Sequence, residues 1–237
     1  VNYWRQDFLA GLLGVESAGA VRCEGAKDPV RRHFFGAPGT RDQVLVTYRD
    51  SRKPLPAQAA AVASQLYEAY VARFSPTDGY PQIVLVGHSL GGLVARYLLS
   101  CPQLDDRELA KLGGAGTDPV ALRQRMAFLR NRTLCLATLQ TPHEGTPVAD
   151  HAQKLQAILG QAGMQAALKE AAGLLKLQQA AALKSVAAFM KDLCSAAVLA
   201  DLSTAGMKRL NAGDLRPDRA RRDDGSLVPV LVAGSGD

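Results

Sequence analysis

Residues 82–100, "QIVLVGHSLGGLVARYLLS", pass from a short apolar run into an apolar helical run through a single polar turn. That arrangement constrains the fold more than any other stretch. A strand apolar on both faces must be covered on both faces, and a helix that follows at once must pack back on it. Other short apolar runs share the profile: "QVLVTYRD" at 43–50, "TLCLATLQ" at 133–140 and "VPVLVAG" at 228–234. Helical segments separate them, including "PAQAAAVASQLYEAYVARF" at 56–74, which is opened by a proline where a helix tolerates one. The expectation is an α/β fold with a mostly parallel sheet, residues 14–41 forming a long loop, rich in Gly, Pro and charge, with one short element. Between the third and fourth runs, 151–212 is dominated by Ala, Leu, Gln and Lys and carries apolar stripes at helical spacing. Its length exceeds what one crossover needs. A core over 1–150 and 213–237 with an inserted helical cap over 151–212 is therefore expected.

The turn within the opening stretch is Gly87-His88-Ser89-Leu90-Gly91. A Gly-x-Ser-x-Gly match alone is weak, since ordinary glycine and serine frequencies give roughly 0.08 chance matches in a chain this long. Its context is informative: strand in, helix out, with the serine on a sharp, strained turn. Side chains at Gly87 and Gly91 are expected to collide with the neighbouring strand and helix. The helix start directs backbone N–H groups, that of Leu90 first, at the space above Ser89, where negative charge on a reacting carbonyl oxygen would be stabilised. His88 is expected to pack or hydrogen-bond below the turn. A phosphate loop is disfavoured, because no lysine follows the glycines and there is no GxGxxG.

With those residues in view, "VLVGHSLGGLVARYLL" resembles the nucleophile elbow of α/β-hydrolase lipases and esterases. "LATLQTPHEGTPVAD" at 136–150 is similar to the strand and TPH-x-G segment of bacterial triacylglycerol lipases and GPI inositol-deacylase-like hydrolases. "LADLSTAGMKRLN" at 199–211 and "VPVLVAGSGD" at 228–237 are looser matches to the helix and the acid-bearing turn that follow. The resemblance implies a serine hydrolase of carboxylic esters of lipids, with Ser89 as nucleophile, Asp237 as the acid and Glu144 as the runner-up acid. It makes His143 of the "TPH" segment structural rather than catalytic. It implies no cofactor, a lipid or ester substrate, and transient contact of the cap with a membrane surface. The catalytic histidine should follow the acid, and the second oxyanion donor should precede the first helix. Both are expected outside 1–237, so the chain reads as the central portion of a longer hydrolase. "VNYWRQDF" at its start has neither an initiating methionine nor the pattern of a signal peptide.

Composition excludes several alternatives. Apolar residues at 47% and charged residues at 21% are those of a globular domain. The net charge of +6 is spread along the chain, and its sharpest cluster, Arg216 to Arg222, alternates with aspartates. That pattern reads as a solvated loop, not a nucleic-acid surface. No apolar stretch approaches the ~20 residues of a membrane span. Cys23, Cys101, Cys135 and Cys194 have no metal-like spacing with the histidines. A site built on His143, Asp150 and His151 would lack HExxH, so no metal is expected; His33 and His151 carry no assignable role. Two rival readings remain: a phospholipase or other acylhydrolase acting on membrane lipids, such as an exported antibacterial effector, and a non-catalytic module that binds lipid or a partner. The second has no need of a strained serine.

Overall fold

The structure, a computed structural model, describes residues 22–24, 30–35, 43–48, 53–74, 76, 80–100, 104–113, 118–147, 149–153 and 195–233. They fall into two compact units, 1–50 and 51–237.

In the first unit, β1 (Arg22–Glu24), β2 (Val30–Phe35) and β3 (Gln43–Tyr48) form an antiparallel sheet in sequence order. Val30 lies opposite Tyr48 and Phe35 opposite Gln43. Two expectations are corrected here. Residues 14–41 hold two strands, β1 and β2, where one short element was expected. The 43–48 run is a strand, but its ladder partner among the described residues is β2, antiparallel. Three consecutive cationic or imidazole residues, Arg31, Arg32 and His33, break the apolar pattern by which β2 would have been recognised.

The second unit is the α/β part. Its strands β4 (Ile83–His88), β5 (Thr133–Leu139) and β6 (Val230–Ala233) are parallel and adjacent in that order. The crossover from β4 to β5 carries α2 (Leu90–Ser100), α3 (Asp106–Gly113) and α4 (Pro119–Arg132), preceded in the chain by α1 (Leu55–Arg73). Between β5 and β6 lie α5 (Ala196–Leu202) and α6 (Thr204–Ala212).

Local chemistry starts and stops these helices. Pro119 opens α4 after Asp118, whose carboxylate accepts the Val120 N–H at 2.9 Å. Ser203 caps α6 through the Gly206 N–H, also at 2.9 Å. Helix α2 packs directly on β4 and β5, and α1 and α4 pack on α2. Ala59, Ala60 and Ala63 of α1 and Leu93, Leu98 and Leu99 of α2 are buried, and small side chains let the two helices approach closely. Tyr67, Tyr70, Tyr80 and Phe128 form an edge-on aromatic cluster that closes the far end, and the Arg132 guanidinium lies 5.4 Å from the Tyr80 ring centre.

Helices pack on β4 and β5. Val84 and Val86 of β4 and Leu231 and Val232 of β6 are 55%, 41%, 57% and 64% exposed, so among the described residues no element covers these side chains. Of the expected cap, 154–194 lies outside the described residues. Residues 196–212 form α5 and α6, and these are tied to the core: Asp201 accepts the Leu55 N–H at 2.9 Å, and Leu199, Leu202, Met207 and Leu210 are buried. No helix among the described residues is long and apolar enough to cross a membrane.

In the basic-acidic loop before β6, Arg216, Asp218, Arg221, Asp223 and Asp224 are exposed, as a solvated run would be, and Arg222 departs from that reading. Arg216 and Asp218 do pair at the surface. Arg222, by contrast, donates to Thr133 O at 2.7 Å and Leu134 O at 2.9 Å on β5, and to Ser226 Oγ and Leu227 O in its own turn. One guanidinium thereby fixes where the chain enters β6. Arg222→Ala is expected to lower stability by about 2 kcal/mol, with Arg222→Lys recovering only part because an ammonium lacks the planar fork. Urea denaturation midpoints for the three proteins check this.

Candidate active site

Ser89 sits between the last residue of β4 and the first of α2 with φ at 53°. A left-handed backbone at a non-glycine residue costs on the order of 1–3 kcal/mol and persists only where its surroundings fix it. Here the Ser89 N–H donates to Leu139 O at 2.9 Å, and Ser89 O accepts the Gly92 N–H at 3.1 Å. Leu90 begins α2, so its N–H belongs to the first turn, whose amides have no partner within the helix.

The glycine requirement is distributed differently from the expectation. A Cβ on Gly87 would lie 2.5 Å from Gly92 Cα, so the strand end and the helix start touch backbone to backbone. A Cβ on Gly92 would lie 2.1 Å from Thr141 Oγ1 and 2.9 Å from Thr141 Cβ. At Gly91 a Cβ would meet nothing within 4 Å. The steric reason offered for Gly91 is therefore corrected: Gly87 and Gly92 carry the close approach, because α2 leaves the turn with Gly92, not Gly91, facing the neighbouring strand ends.

His143 is held at both ring nitrogens. Arg96 of α2 lies 2.9 Å from Nδ1, and since a guanidinium can only donate, Nδ1 must accept. Nε2 then carries the proton and donates to Thr138 Oγ1 at 2.9 Å, while the Thr138 hydroxyl donates to Leu231 O at 3.2 Å. Arg96 also donates to Asn211 Oδ1 and Leu215 O, and Asn211 returns a bond to His143 O at 2.7 Å. The network joins α2, β5, β6, α6 and the "TPH" turn. Burial, and then the Arg96 charge, hold the His143 pKa down at about 4. Burial also lowers that of Arg96. The ring is hydrogen-bonded at both nitrogens, and taking a proton at Nδ1 would expel Arg96.

The remaining candidates are placed as follows. His88 Nε2 lies 3.3 Å from Gln140 Oε1 at the end of β5. Glu144 is exposed in the turn after β5. Asp150 caps α6, accepting from Thr204 N and Oγ1, and His151 is exposed. Asp237 lies outside the described residues. Among the described residues, no group of three His, Cys, Asp or Glu is placed to hold a metal ion. Sequence reasoning missed Arg96, Thr138, Asn211 and Gly92. A signal for the first was present, since Arg96 is the only charge in an otherwise apolar helix.

Two outcomes are expected. Gly92→Ala should cost about 2–3 kcal/mol by overpacking against Thr141, whereas Gly91→Ala should be neutral or stabilise by about 0.5–1 kcal/mol through helix propensity. Thermal melts of the two single variants check the contrast. The second concerns pH. The unfolded histidine takes up a proton near 6.5, which the folded one refuses until about 4. The contribution of His143 is therefore whole above pH 6.5 and is lost as pH falls towards 4. Discounted for a half-exposed ring, the loss is about 1–2 kcal/mol. Wild type and His143→Gln, compared by urea midpoints across that window, should converge at the acid end.

Compared with known proteins, the chain matches no family model and no curated protein. Among solved structures it is similar to the mature form of a Bacillus licheniformis lipase, at 18% identity and a TM-score of 0.38, over 75% of this chain and 49% of that one. The chain thus spans about half the length of that lipase.

Proposed function

We propose that this chain carries the nucleophile of a serine hydrolase acting on carboxylic esters of lipids. The observation that carries the reading is Ser89 itself: a non-glycine residue at φ 53° on the turn from strand to helix, with Gly87 packed against Gly92 beneath it. A strained turn of this kind lifts the hydroxyl clear of both elements and sets it beside the amides of a helix start.

In this reading Ser89 Oγ attacks the ester carbonyl while a general base takes its proton. The Leu90 N–H donates to the carbonyl oxygen as it becomes an oxyanion. Collapse expels the alcohol, which takes the proton back, and leaves an acyl-serine. Water then attacks the acyl carbon, releases the carboxylic acid and restores the hydroxyl. His143 is not the base, because Arg96 occupies its only lone pair. The resemblance implies a histidine as the base, with Asp237 to orient it. The cap proposed over 151–212 would screen the acyl group from water and meet a lipid surface, with its last part, from 196, fixed to the core. The chemistry needs no cofactor.

Ser89→Ala in the full-length protein is expected to abolish both ester hydrolysis and covalent labelling by a fluorophosphonate. Its melting temperature should be unchanged or slightly raised. Removal of a triad nucleophile costs on the order of 10⁶-fold in rate. Hydrolysis that survives in a folded Ser89→Ala protein, or a probe attached to another residue, would overturn the assignment.

A further inference from the structure

Among the described residues, one other non-glycine residue has a left-handed backbone: Gln140, with φ at 49°. It follows β5 directly, as Ser89 follows β4, and the ladder that pairs Gly87 with Thr138 and His88 with Leu139 brings Ser89 and Gln140 abreast. Neighbouring strands lie about 5 Å apart, so Gln140 is the residue beside Ser89 on the sheet's C-terminal rim. Glycine or asparagine would take this backbone conformation at less cost than glutamine. Gln140 is held there by its N–H, which donates to Ala233 O at 2.9 Å. Its side chain is exposed rather than packed. Its Oε1 faces His88 Nε2 at 3.3 Å, and its amide N–H groups have no partner among the described residues. A strained residue that packs nothing and presents two donors next to a candidate nucleophile gains little for the fold. Strain kept in such a place is a mark of function.

We propose that Gln140 is a specificity-determining residue of the Ser89 site. Its amide donates to a hydrogen-bond acceptor that the substrate carries within a few bonds of the scissile ester. The proposal rests on Ser89 being the nucleophile. It names the substrate class as esters with an ether, hydroxyl or carbonyl oxygen near the reacting carbonyl, in preference to plain alkyl esters of the same shape. His88 holds Oε1, so that the nitrogen of the amide is the end left to meet substrate.

The test compares full-length wild type with Gln140→Gly and Gln140→Glu on two matched ester pairs. In one pair the alcohol is n-butyl or methoxyethyl; in the other the ether oxygen replaces a methylene of the acyl chain. Gln140→Gly relieves the backbone strain and removes the amide, while Gln140→Glu keeps the length and loses the donors. In both variants kcat/KM for the ether ester relative to its alkyl partner should fall by ~5–10-fold in at least one pair, as for loss of one hydrogen bond. Gln140→Gly should at the same time melt about 2–4 °C higher. An unchanged ratio in both pairs, or a lower melting temperature for Gln140→Gly, overturns the proposal. Fluorophosphonate labelling of wild type, run in parallel, separates the two failures. A labelled Ser89 with unchanged ratios removes only the role of Gln140. An unlabelled Ser89 removes the nucleophile reading and this inference with it.

Discussion

The Arg96 guanidinium is a half-buried charge for which no carboxylate among the described residues is a partner; its hydrogen bonds run to His143, Asn211 and the Leu215 carbonyl. Neutral acceptors can hold a cation only if each presents a lone pair, and that requirement fixes the rest of the network. His143 must be unprotonated at Nδ1, its Nε2 proton must point at Thr138, and Thr138 must pass its own to β6. The turn after β5 has no freedom left once these bonds form. Thr141, in the same turn, lies against Gly92. The position of the strand-to-helix turn that carries Ser89 is thus set from outside, by a polar cluster on its flank.

That dependence explains how a strained serine can persist. Two backbone hydrogen bonds hold Ser89 directly, but the fit of Gly87 on Gly92 and of Gly92 on Thr141 leaves the chain no lower-energy route through the turn. The serine backbone is therefore held in one geometry by the fold itself.

The α/β class, the strands at 83–88, 133–139 and 230–233 and the turn at Ser89 were legible because each is a local pattern, apolar runs punctuated by glycine and proline. Partners were not legible. The run at 43–48 announces a strand but not that β2 lies beside it, and β2 is disguised by Arg31, Arg32 and His33. Gly91 looked like the second required glycine because the motif is read along the chain, whereas the clash that decides it comes from Thr141, far away in sequence. Arg222 was read with its cluster as solvated charge and Arg96 was not singled out, and only the fold shows that one clamps backbone carbonyls and the other anchors a turn. Asp237 and most of the proposed cap fall outside the described residues, so the acid stands where the resemblance put it and the cap where the length and apolar stripes of 151–212 put it.

The Arg222 clamp has a consequence for how the sheet is assembled. Strand β6 is parallel to β5, and a parallel ladder between segments so distant in sequence must first close a long loop. Arg222 meets Thr133 across 89 residues, at the very start of β5, and does so with side-chain donors that need no strand to be formed. Once it is seated, only a few residues separate it from Val230, and the remaining ladder closes over a short span. In the folded chain a single cation thus spans the long loop at the foot of the ladder. Register, which a bare run of Val and Leu would leave open to slippage, is pinned there by bonds that no slipped pairing could keep.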